Sequence, residues 1–372
     1  MKSSVSIVRC RSYDEEEVMR GLRRSVDLIG GIGAFVRKGD RVLLKPNLLY
    51  GKASHKAMTT HPAIVKGVIR MVKEAGGEPY LGDSPAVGSL IRAAEKAGIR
   101  TVAEETGCPL IEFDHPVVPT ERGGRFFKQI EIDKAVLEAN VVINLPKWKT
   151  HGMTLLTLGI KNLFGCVPGP RKALWHLKAG EDRRLFSRML VDLYQIIQPS
   201  LTILDGIVAM EGNGPSSGDP VPVGLILAGG DALGVDQVVC DILGIPRMSL
   251  VTNRVAFEEG MGREGIDVLG ERLDQIRISD FKYPPLSRTD WGIPGFLKRA
   301  LKNALGTRAV IEKEICRACG RCLEICPPKA LKKEGEGLVL DYGTCIRCFC
   351  CQEVCPEGAI SIKPGWMGRL FK

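Results

Sequence analysis

The chain has no apolar run long enough to cross a bilayer. Its longest apolar stretches, such as residues 223–228, are far shorter than the roughly 20 residues that a membrane-spanning helix needs. It also shows no secretory leader, and the pair Arg23 and Arg24 lies too far into the chain for a twin-arginine export signal. We therefore expect a soluble, cytoplasmic protein.

Clustered positive charge and aromatic residues are also scarce. Lysine and arginine outnumber aspartate and glutamate by 52 to 43, but they are dispersed, and aromatic residues make up only 6% of the chain. A nucleic-acid groove would show basic runs interleaved with aromatics, so nucleic acid is not an expected partner. A nucleotide-binding glycine loop is missing too, because Gly30, Gly31 and Gly33 close a predicted helix and precede a strand.

Cysteine, in contrast, is abundant and concentrated near one end. Nine of the 13 cysteines lie between residues 316 and 355, in two copies of the spacing Cys-x-x-Cys-x-x-Cys-x-x-x-Cys-Pro. Three cysteines at i, i+3 and i+6 reach three irons of a 4Fe-4S cube, and the last cysteine of each copy binds the other cube. The two predicted ligand sets are Cys316, Cys319, Cys322 and Cys355 for one cluster, and Cys345, Cys348, Cys351 and Cys326 for the other.

Disulfides and zinc are the competing explanations for so many cysteines. Disulfide scaffolds are typical of secreted chains, and zinc ribbons take four ligands in pairs, not eight in two quartets that each end in proline. We therefore predict two 4Fe-4S clusters. Cys350 lies between two predicted ligands, but the i+3 spacing favours Cys351 and leaves Cys350 as a free buried thiol.

The first 285 residues alternate apolar, strand-like segments with amphipathic helical ones. The predicted strands are residues 41–44, 79–81, 141–145, 201–204 and 223–228, and one helix is expected to begin at Pro62 and to stop at Gly76. This alternation predicts an α/β fold in which helices cover both faces of a parallel sheet. The domain could be divided into two lobes that meet near residue 150.

Four segments follow from these patterns. We expect an α/β domain at 1–285, a linker with a short basic amphipathic helix at 286–308, a small α+β ferredoxin domain of bacterial type at 309–364, and a tail at 365–372. Docking of the linker and tail onto the main domain is favoured over a peripheral contact with a membrane surface.

Polar residues that follow the predicted strands are the candidates for a site, because ligands of parallel sheets bind beyond the carboxyl ends of the strands. Cations among them favour an anionic ligand such as a carboxylate or phosphate, and the carboxylates could hold a metal or act as acid and base. The predicted substrate-binding residues are Lys45, Asn47, Asp83, Lys147, Lys161, Asn162, Glu211, Asn213 and Asp231. The predicted catalytic residues are Lys149, His151 and Asp205.

The chain resembles the domain-of-unknown-function family 362. The resemblance rests on NLPKWKTHGMTLLTLGIKNLFGCVPG at residues 144–169, KPN from Lys45, GDSP from Gly82 and DGIVAMEGNGP from Asp205. Members often carry a C-terminal two-cluster ferredoxin, so the resemblance covers essentially the whole chain. It implies an iron–sulfur protein of redox role and names no substrate. A more distant similarity to nickel-dependent lactate racemases comes without a matching nickel-ligand motif.

Three functions remain open, and whether the chain is an enzyme is part of the question. The favoured hypothesis is an oxidoreductase that passes electrons from two clusters to an anionic substrate or bound cofactor. It includes a redox partner protein, and it leaves open whether an additional flavin or metal is bound. The alternatives are an electron-transfer or docking protein without chemistry of its own, and a non-redox acid–base enzyme with structural clusters. The first hypothesis requires the ferredoxin domain to pack against the strand ends, with residues 159–169 as the candidate contact.

Overall fold

The computed structural model describes residues 3–120, 123–169, 171–262, 265–284, 307–335 and 337–365. Residues 286–306 of the predicted linker, with its basic helix, and residues 366–372 of the predicted tail lie outside the described residues.

A ten-stranded, mostly parallel sheet forms the centre of the main domain. Its strands are β1 (Ser3–Arg9), β2 (Arg41–Pro46), β3 (Glu78–Asp83), β4 (Leu110–Glu112), β7 (Val141–Leu145), β8 (Lys147–His151), β9 (Leu155–Thr157), β10 (Leu201–Glu211), β11 (Asp219–Gly229) and β12 (Ile266–Gly270), while β5 (Pro116–Val117) pairs with β6 (Ile132–Asp133) apart from it. The order is β12-β1-β11-β10-β7-β2-β3-β4, and β8 pairs with both β10 and β9. Strands from both sides of residue 150 therefore belong to one sheet.

Helices cover both faces of this sheet. They are α1 (Glu15–Asp27), α2 (Pro62–Glu74), α3 (Leu90–Lys96), α4 (Ile99–Thr106), α5 (Lys134–Leu137), α6 (Gly159–Asn162), α7 (Arg171–Ala179), α8 (Arg183–Ile197), α9 (Ala232–Ile242) and α10 (Val251–Glu258). Short 3₁₀ turns lie at Ile32–Ala34, Ser54–Lys56, Leu163–Cys166, Arg247–Ser249 and Leu273–Gln275.

The pleat of β2 shows how the sheet divides the core. Val42 and Leu44 pack into a buried cluster with the apolar face of α1 and α2, whereas Leu43 packs into the cluster that contains α8. Successive side chains of a strand point to opposite faces, so a continuous apolar run is what a sheet buried on both faces requires. The predicted α/β fold is confirmed.

The direction of one strand differs from the expectation. β10 runs parallel to β7, with Leu201 opposite Ile143, but β11 is antiparallel to β10, with Thr202 opposite Gly229. The end of β11 therefore lies at the edge of the sheet where the parallel strands begin.

The C-terminal module, residues 307–365, is a small α+β unit. β13 (Arg308–Ile311) pairs antiparallel with β16 (Ile360–Lys363), and β14 (Leu331–Glu334) pairs antiparallel with β15 (Gly337–Leu340). Two one-turn helices, α11 (Arg321–Ile325) and α12 (Cys350–Glu353), each contain cysteines of one of the two runs. Within the described ranges, no helix combines the length and the apolar character that crossing a membrane demands.

Candidate functional site

The C-terminal module packs against the edge of the sheet where the parallel strands end. His151 Nε2, at the end of β8, lies 3.0 Å from Glu353 Oε1 of the module. Gln352 Nε2 donates to the carbonyl oxygens of Asn213 at 2.9 Å and Gly214 at 3.1 Å, just past the end of β10. The C-terminal module therefore packs against the strand ends, as the favoured hypothesis requires. These polar contacts come from loops other than residues 159–169, which were the expected contact.

Gly152 explains how closely the two parts approach. A Cβ at this position would collide with the Ile362 side chain and lie 3.5 Å from a ring carbon of Phe349, both in the module. Only glycine leaves room for this contact without displacing a module side chain.

A cavity of about 340 Å³ lies between the two parts. Five of the predicted substrate-binding residues line it from the main domain: Lys45, Asn47, Asp83, Lys161 and Asn162. The module contributes Glu324, Ile325, Cys350, Glu353 and Val354. A volume of this size is within the range of small-molecule sites, and its walls mix apolar surface with a few converging polar groups.

A buried ion pair forms one side of the cavity. Lys45 Nζ donates to Asp83 Oδ1 at 2.8 Å, both side chains are at most 4% exposed, and Asp83 Oδ2 accepts the Leu48 backbone N–H at 3.0 Å. The two residues meet because β2 and β3 are neighbours in the sheet. Gly165 lies over the pair, and a Cβ there would collide with Asp83 Oδ1.

Asn162 joins the residues around this pair. Its Oδ1 accepts from Asn47 Nδ2 at 2.8 Å, and its Nδ2 donates to Asn144 Oδ1 at 2.8 Å. The position of α6, which carries Asn162, is set by Asp236, whose Oδ1 accepts the Gly159 N–H at 2.7 Å. Such a carboxylate satisfies backbone donors that the first turn of a helix leaves free.

Two lysines line the cavity without a carboxylate partner among the described residues. Lys161 Nζ lies 4.9 Å from the centre of the Phe164 ring and 5.8 Å from that of Phe186, and Lys172 Nζ donates to Ser84 Oγ at 2.6 Å and to Val167 O at 3.0 Å. Burial lowers the pKa of both, that of Lys172 to about 7. Both lysines are half-buried, and a cation that has lost part of its hydration attracts an anion more strongly than one in water.

His176 is a third unmatched polar group of the cavity wall. It is 4% exposed, it stacks on Phe186 with ring centres 4.5 Å apart, and its Nδ1 has no hydrogen-bond partner among the described residues. Burial lowers its pKa to about 3, so the ring is neutral at physiological pH. A buried polar atom without a partner indicates that something else bonds there.

The cavity wall also carries three carboxylates, Asp83, Glu324 and Glu353. Glu353 is paired with His151, and although burial opposes its ionisation, attraction by His151 and Lys161 lowers its pKa to about 2. Asp83 is paired with Lys45. Three lysines and three carboxylates thus line the cavity, and among the described residues Lys161 and Lys172 are the two of these lysines with no carboxylate within 4 Å.

The two predicted ligand sets differ in how closely the structure brings their members together. The thiols of Cys316, Cys319, Cys322 and Cys355, the first cysteine group, line one small cavity of about 20 Å³. The second cysteine group is Cys345, Cys348, Cys351 and Cys326, and Cys351 is close enough to feel the charge of the other three and also of Cys322 in the first group.

The described thiols form no set as tight as a mononuclear zinc site. In the part of the chain that the structure describes, no three cysteine sulfurs lie within 4.8 Å of one another. Four sulfurs at about 2.3 Å from a tetrahedral zinc ion would be only about 3.8 Å apart. Polynuclear iron–sulfur cubes spread their ligands over several metal atoms and do not require so tight a set.

The three predicted catalytic residues lie behind the cavity wall. Lys149, His151 and Asp205 are each at most 1% exposed, and none of them lines the cavity. Lys149 Nζ donates to Asn47 Oδ1 at 2.6 Å, and His151 contacts Glu353, so these two support cavity residues. Burial, then repulsion by Lys161, lowers the pKa of Lys149 to about 7.

Asp205 belongs to a separate buried network. Its Oδ2 accepts from Lys147 Nζ at 2.8 Å, and its Oδ1 accepts from Tyr13 OH at 2.7 Å. Lys147, which was expected to bind substrate, is thus neutralised inside the protein and does not line the cavity.

Three further predicted binding residues have other positions. Asp231 follows the antiparallel β11, so it was wrongly expected at the shared edge; it caps α9 by accepting the Leu233 N–H at 3.0 Å. Glu211 Oε2 accepts the Lys282 N–H at 2.9 Å, and Asn213 Nδ2 donates to Ile360 O of the module at 3.3 Å. Neither lines the cavity.

Sequence reasoning did not single out several cavity residues. His176 and Lys172 lie on α7, beyond the motif-rich loop, and Cys350 and Glu353 arrive only with the docked module. The one available signal was the basic character of residues 171 and 172 beside the glycine-rich loop.

Comparison with known proteins identifies the family of each part of the chain. Residues 42–241 match the family described as Domain of unknown function (DUF362), and residues 308–356 match the 4Fe-4S dicluster domain, so the chain is an iron–sulfur protein. The chain is 40% identical over 317 residues to Thylakoid-associated protein sll1697 of Synechocystis sp., an alignment that covers 82% of this chain and 95% of that protein. The lactate racemase apoprotein from Thermoanaerobacterium thermosaccharolyticum matches at 13% identity with a TM-score of 0.40, over 61% of this chain and 54% of that one.

Proposed function

We propose an oxidoreductase function for this chain, which belongs to the DUF362 family. In this proposal, an anionic substrate or cofactor occupies the cavity between the main domain and the C-terminal module and exchanges electrons with the module. The single observation that carries it is that both parts build the walls of one cavity. A ligand in that cavity touches Cys350, which lies between two predicted iron ligands.

The charge of the cavity supports an anionic ligand. Lys161 and Lys172 are half-buried and have no carboxylate within 4 Å among the described residues, whereas Asp83 accepts from Lys45 and Glu353 lies beside His151. A bound carboxylate or phosphate would give these two ammonium groups a counter-charge in a site that is partly shielded from water. Apolar wall residues such as Phe164, Ile325 and Val354 favour an apolar body attached to the anionic group.

The module would hold two 4Fe-4S clusters, one on each cysteine group. When bound, such clusters supply one-electron transfer at low potential. Cys319 of the first cysteine group is exposed, so this side of the module is available to a redox partner protein.

The residues of the main domain would have binding and positioning roles. Lys161 and Lys172 bind the anion, and the unmatched Nδ1 of His176 is placed to accept a hydrogen bond near it. Lys149 and His151 hold Asn47 and Glu353 in place. A direct acid–base role for Lys149, His151 or Asp205 has less support, because a catalytic base must reach the proton that it removes.

A cytoplasmic location stays a prediction. The Synechocystis relative is named for its association with thylakoids. For this chain, the alternative to a cytoplasmic location is therefore a peripheral association with a membrane. Fractionation of cells into membrane and soluble parts, in low and high salt, separates the two.

The proposal is tested by identifying what the cavity holds. The protein is purified anaerobically, denatured, and its released small molecules are identified by mass spectrometry, together with flavin, iron and acid-labile sulfide. Wild type should release an anionic molecule, Lys161→Gln should release far less at unchanged iron content, and the control Lys134→Gln, an exposed residue, should match wild type. Equal release from the Lys161 variant, or a cationic ligand, would contradict the proposal.

A further inference from the structure

The three lysines of the cavity wall differ in what holds their side-chain nitrogens. Lys45 Nζ donates to a carboxylate oxygen at 2.8 Å and to a backbone carbonyl at 2.9 Å. Lys172 Nζ donates to the hydroxyl and the carbonyl oxygen of Ser84, at 2.6 and 2.9 Å, and to Val167 O at 3.0 Å. Because an ammonium group has three N–H donors, these oxygens favour the protonated form of both lysines.

Lys161, on α6, has aromatic neighbours instead. Its Nζ lies 4.9 Å from the ring centre of Phe164 and 5.8 Å from that of Phe186. No oxygen of the described residues accepts a hydrogen bond from it. Ring faces attract an ammonium group, but less strongly than hydrogen bonds to oxygen do. In the described part of the chain, Lys161 is therefore the cavity lysine whose proton is least secured by its surroundings.

A lysine in such a setting can act as a nucleophile. A neutral amine attacks a carbonyl carbon, and lysines acquire this reactivity in apolar surroundings or beside other cations. Burial lowers the pKa of Lys161, although attraction by Glu353 opposes the effect. At a given pH, a larger fraction of this side chain is therefore the neutral amine than in an exposed lysine.

A second, independent feature places a ligand beside Lys161. His176 is 4% exposed, and its Nδ1 has no hydrogen-bond partner among the described residues. Its ring centre lies 4.5 Å from that of Phe186 and 5.6 Å from that of Phe164, the two rings that contact Lys161. Lys172 precedes His176 by four residues on α7, so both lie on one face of that helix. A ligand that meets the amine in this corner therefore lies near the ammonium group of Lys172 as well.

We propose that Lys161 forms an imine with a carbonyl acid, a molecule that carries an aldehyde or ketone together with a carboxylate or phosphate. Lys161 Nζ bonds to the carbonyl carbon, the nitrogen gives up two protons, and the carbonyl oxygen leaves with them as water. The addition of water reverses the step, and neither direction changes an oxidation state. Lys172 stays an ammonium group and binds the anionic end of the ligand. The inference rests on the anionic ligand of the proposed function and names its chemical class, but it does not require the clusters to reduce that ligand.

The first test traps whatever the anaerobically purified full chain carries. Sodium cyanoborohydride adds hydride to a carbon–nitrogen double bond and turns an imine into a stable secondary amine. Treated protein is then denatured, its released small molecules are identified by mass spectrometry, and its peptides are mapped. The anionic molecule released by untreated protein should stay attached after treatment, as an added mass on the peptide that contains Lys161.

The outcomes separate this inference from the proposed function. If treated and untreated protein release the anionic molecule equally and Lys161 is unmodified, the imine is wrong and the anionic ligand stands. If neither sample releases an anionic molecule and no peptide is modified, the ligand of the proposed function fails, and the imine is decided by an added probe.

That probe is 4-carboxybenzaldehyde, an apolar ring with one aldehyde and one carboxylate. Dialysed protein is treated anaerobically at neutral pH with a low concentration of the probe and with cyanoborohydride, and the adduct on each lysine is followed over time. Lys161 should be labelled at least about tenfold faster than Lys134, an exposed lysine, because each unit of lowered pKa gives a tenfold larger fraction of neutral amine. Benzaldehyde, which has no anionic group, should show a smaller preference for Lys161.

Lys161→Arg is the variant control, because arginine keeps the positive charge and cannot form the imine. At unchanged iron content, this variant should take up no label at Lys45 or Lys172, the other two lysines of the cavity. Equal labelling of Lys161 and Lys134 in wild type, faster labelling of Lys172 than of Lys161, or the same preference for both aldehydes would overturn the inference.

Discussion

Removing the carboxylate of Asp83 should destabilise the protein far more than removing that of an exposed ion pair. In Asp83→Asn, Lys45 remains a buried cation whose contacts are then the Pro46 carbonyl at 2.9 Å and Asn162 Oδ1 at 3.4 Å. Breaking a buried pair from one side costs about 3–5 kcal/mol, and because Lys45 keeps these two acceptors we expect about 3 kcal/mol.

The matched control is Glu74→Gln. Arg23 and Glu74 also approach to 2.7 Å, but their side chains are 49% and 50% exposed. A pair in water contributes about 0–1 kcal/mol, so this variant should remain close to wild type. The double variant Lys45→Met with Asp83→Asn should recover much of the loss, because it leaves no buried charge unpaired.

The measurement is the free energy of unfolding from anaerobic urea denaturation, followed by far-ultraviolet circular dichroism. The reasoning is refuted if Asp83→Asn loses no more stability than Glu74→Gln. It is also refuted if the double variant is less stable than Asp83→Asn alone.

Three further outcomes follow from particular residues. Reconstituted protein should bind about eight irons and eight sulfides per chain, unchanged in Cys350→Ser and lowered in Cys351→Ser, whereas about four irons or stoichiometric zinc would contradict the two-cluster prediction. Burial raises the pKa of Asp236 from 3.8 to about 7. The folded protein therefore holds this proton more tightly than the unfolded chain does, and the wild type loses stability as the pH rises from about 4 to about 7. Its stability relative to Asp236→Asn should fall by about 2–3 kcal/mol between about pH 5 and pH 8, and a constant difference would contradict the assignment. Gly165→Ala should lower the free energy of unfolding by about 1–3 kcal/mol, because the added Cβ forces Lys45 and Asp83 apart. The control Gly33→Ala, with no atom near its added Cβ, should stay within about 0.5 kcal/mol of wild type. Equal losses in the two variants would show that Gly165 is not constrained.

Local pattern was sufficient where an element depends on its own residues. The apolar run at 141–145 corresponds to β7 at the same bounds, and α2 begins at Pro62 as expected, with His61 as its cap. Both features depend on neighbours in the chain, which a sequence displays directly.

Pattern was insufficient where the partner is distant in the chain. β1 was not predicted, although it lies inside the sheet between β12 and β11, and the reversed direction of β11 moved Asp231 to the other edge. An apolar segment carries no record of the direction in which it pairs, so only the assembled sheet reveals which strand ends share an edge.

The candidate site, like the fold, was predicted correctly only where it depends on residues close together in the chain. Lys45 was correctly expected near a strand end, but its neutralisation by Asp83 depends on β2 and β3 being adjacent. Cys350, Glu324 and Glu353 enter the cavity only because the module docks, so its balance of three lysines and three carboxylates is not visible in the sequence.

The central claim is that an anion in the cavity exchanges electrons with the C-terminal module, and single-turnover kinetics test it most directly. Holoprotein reduced with a slight excess of dithionite is mixed anaerobically with the anionic molecule that the purified protein releases, and the visible absorbance of the clusters is followed. We predict that wild type and Lys134→Gln reoxidise at equal rates and that Lys161→Gln, at the same low ligand concentration, is slower by at least about tenfold, the effect of losing about 1.4 kcal/mol of binding. Clusters that stay reduced in the presence of the bound anion, or reoxidation that is equally fast in Lys161→Gln, would contradict the account.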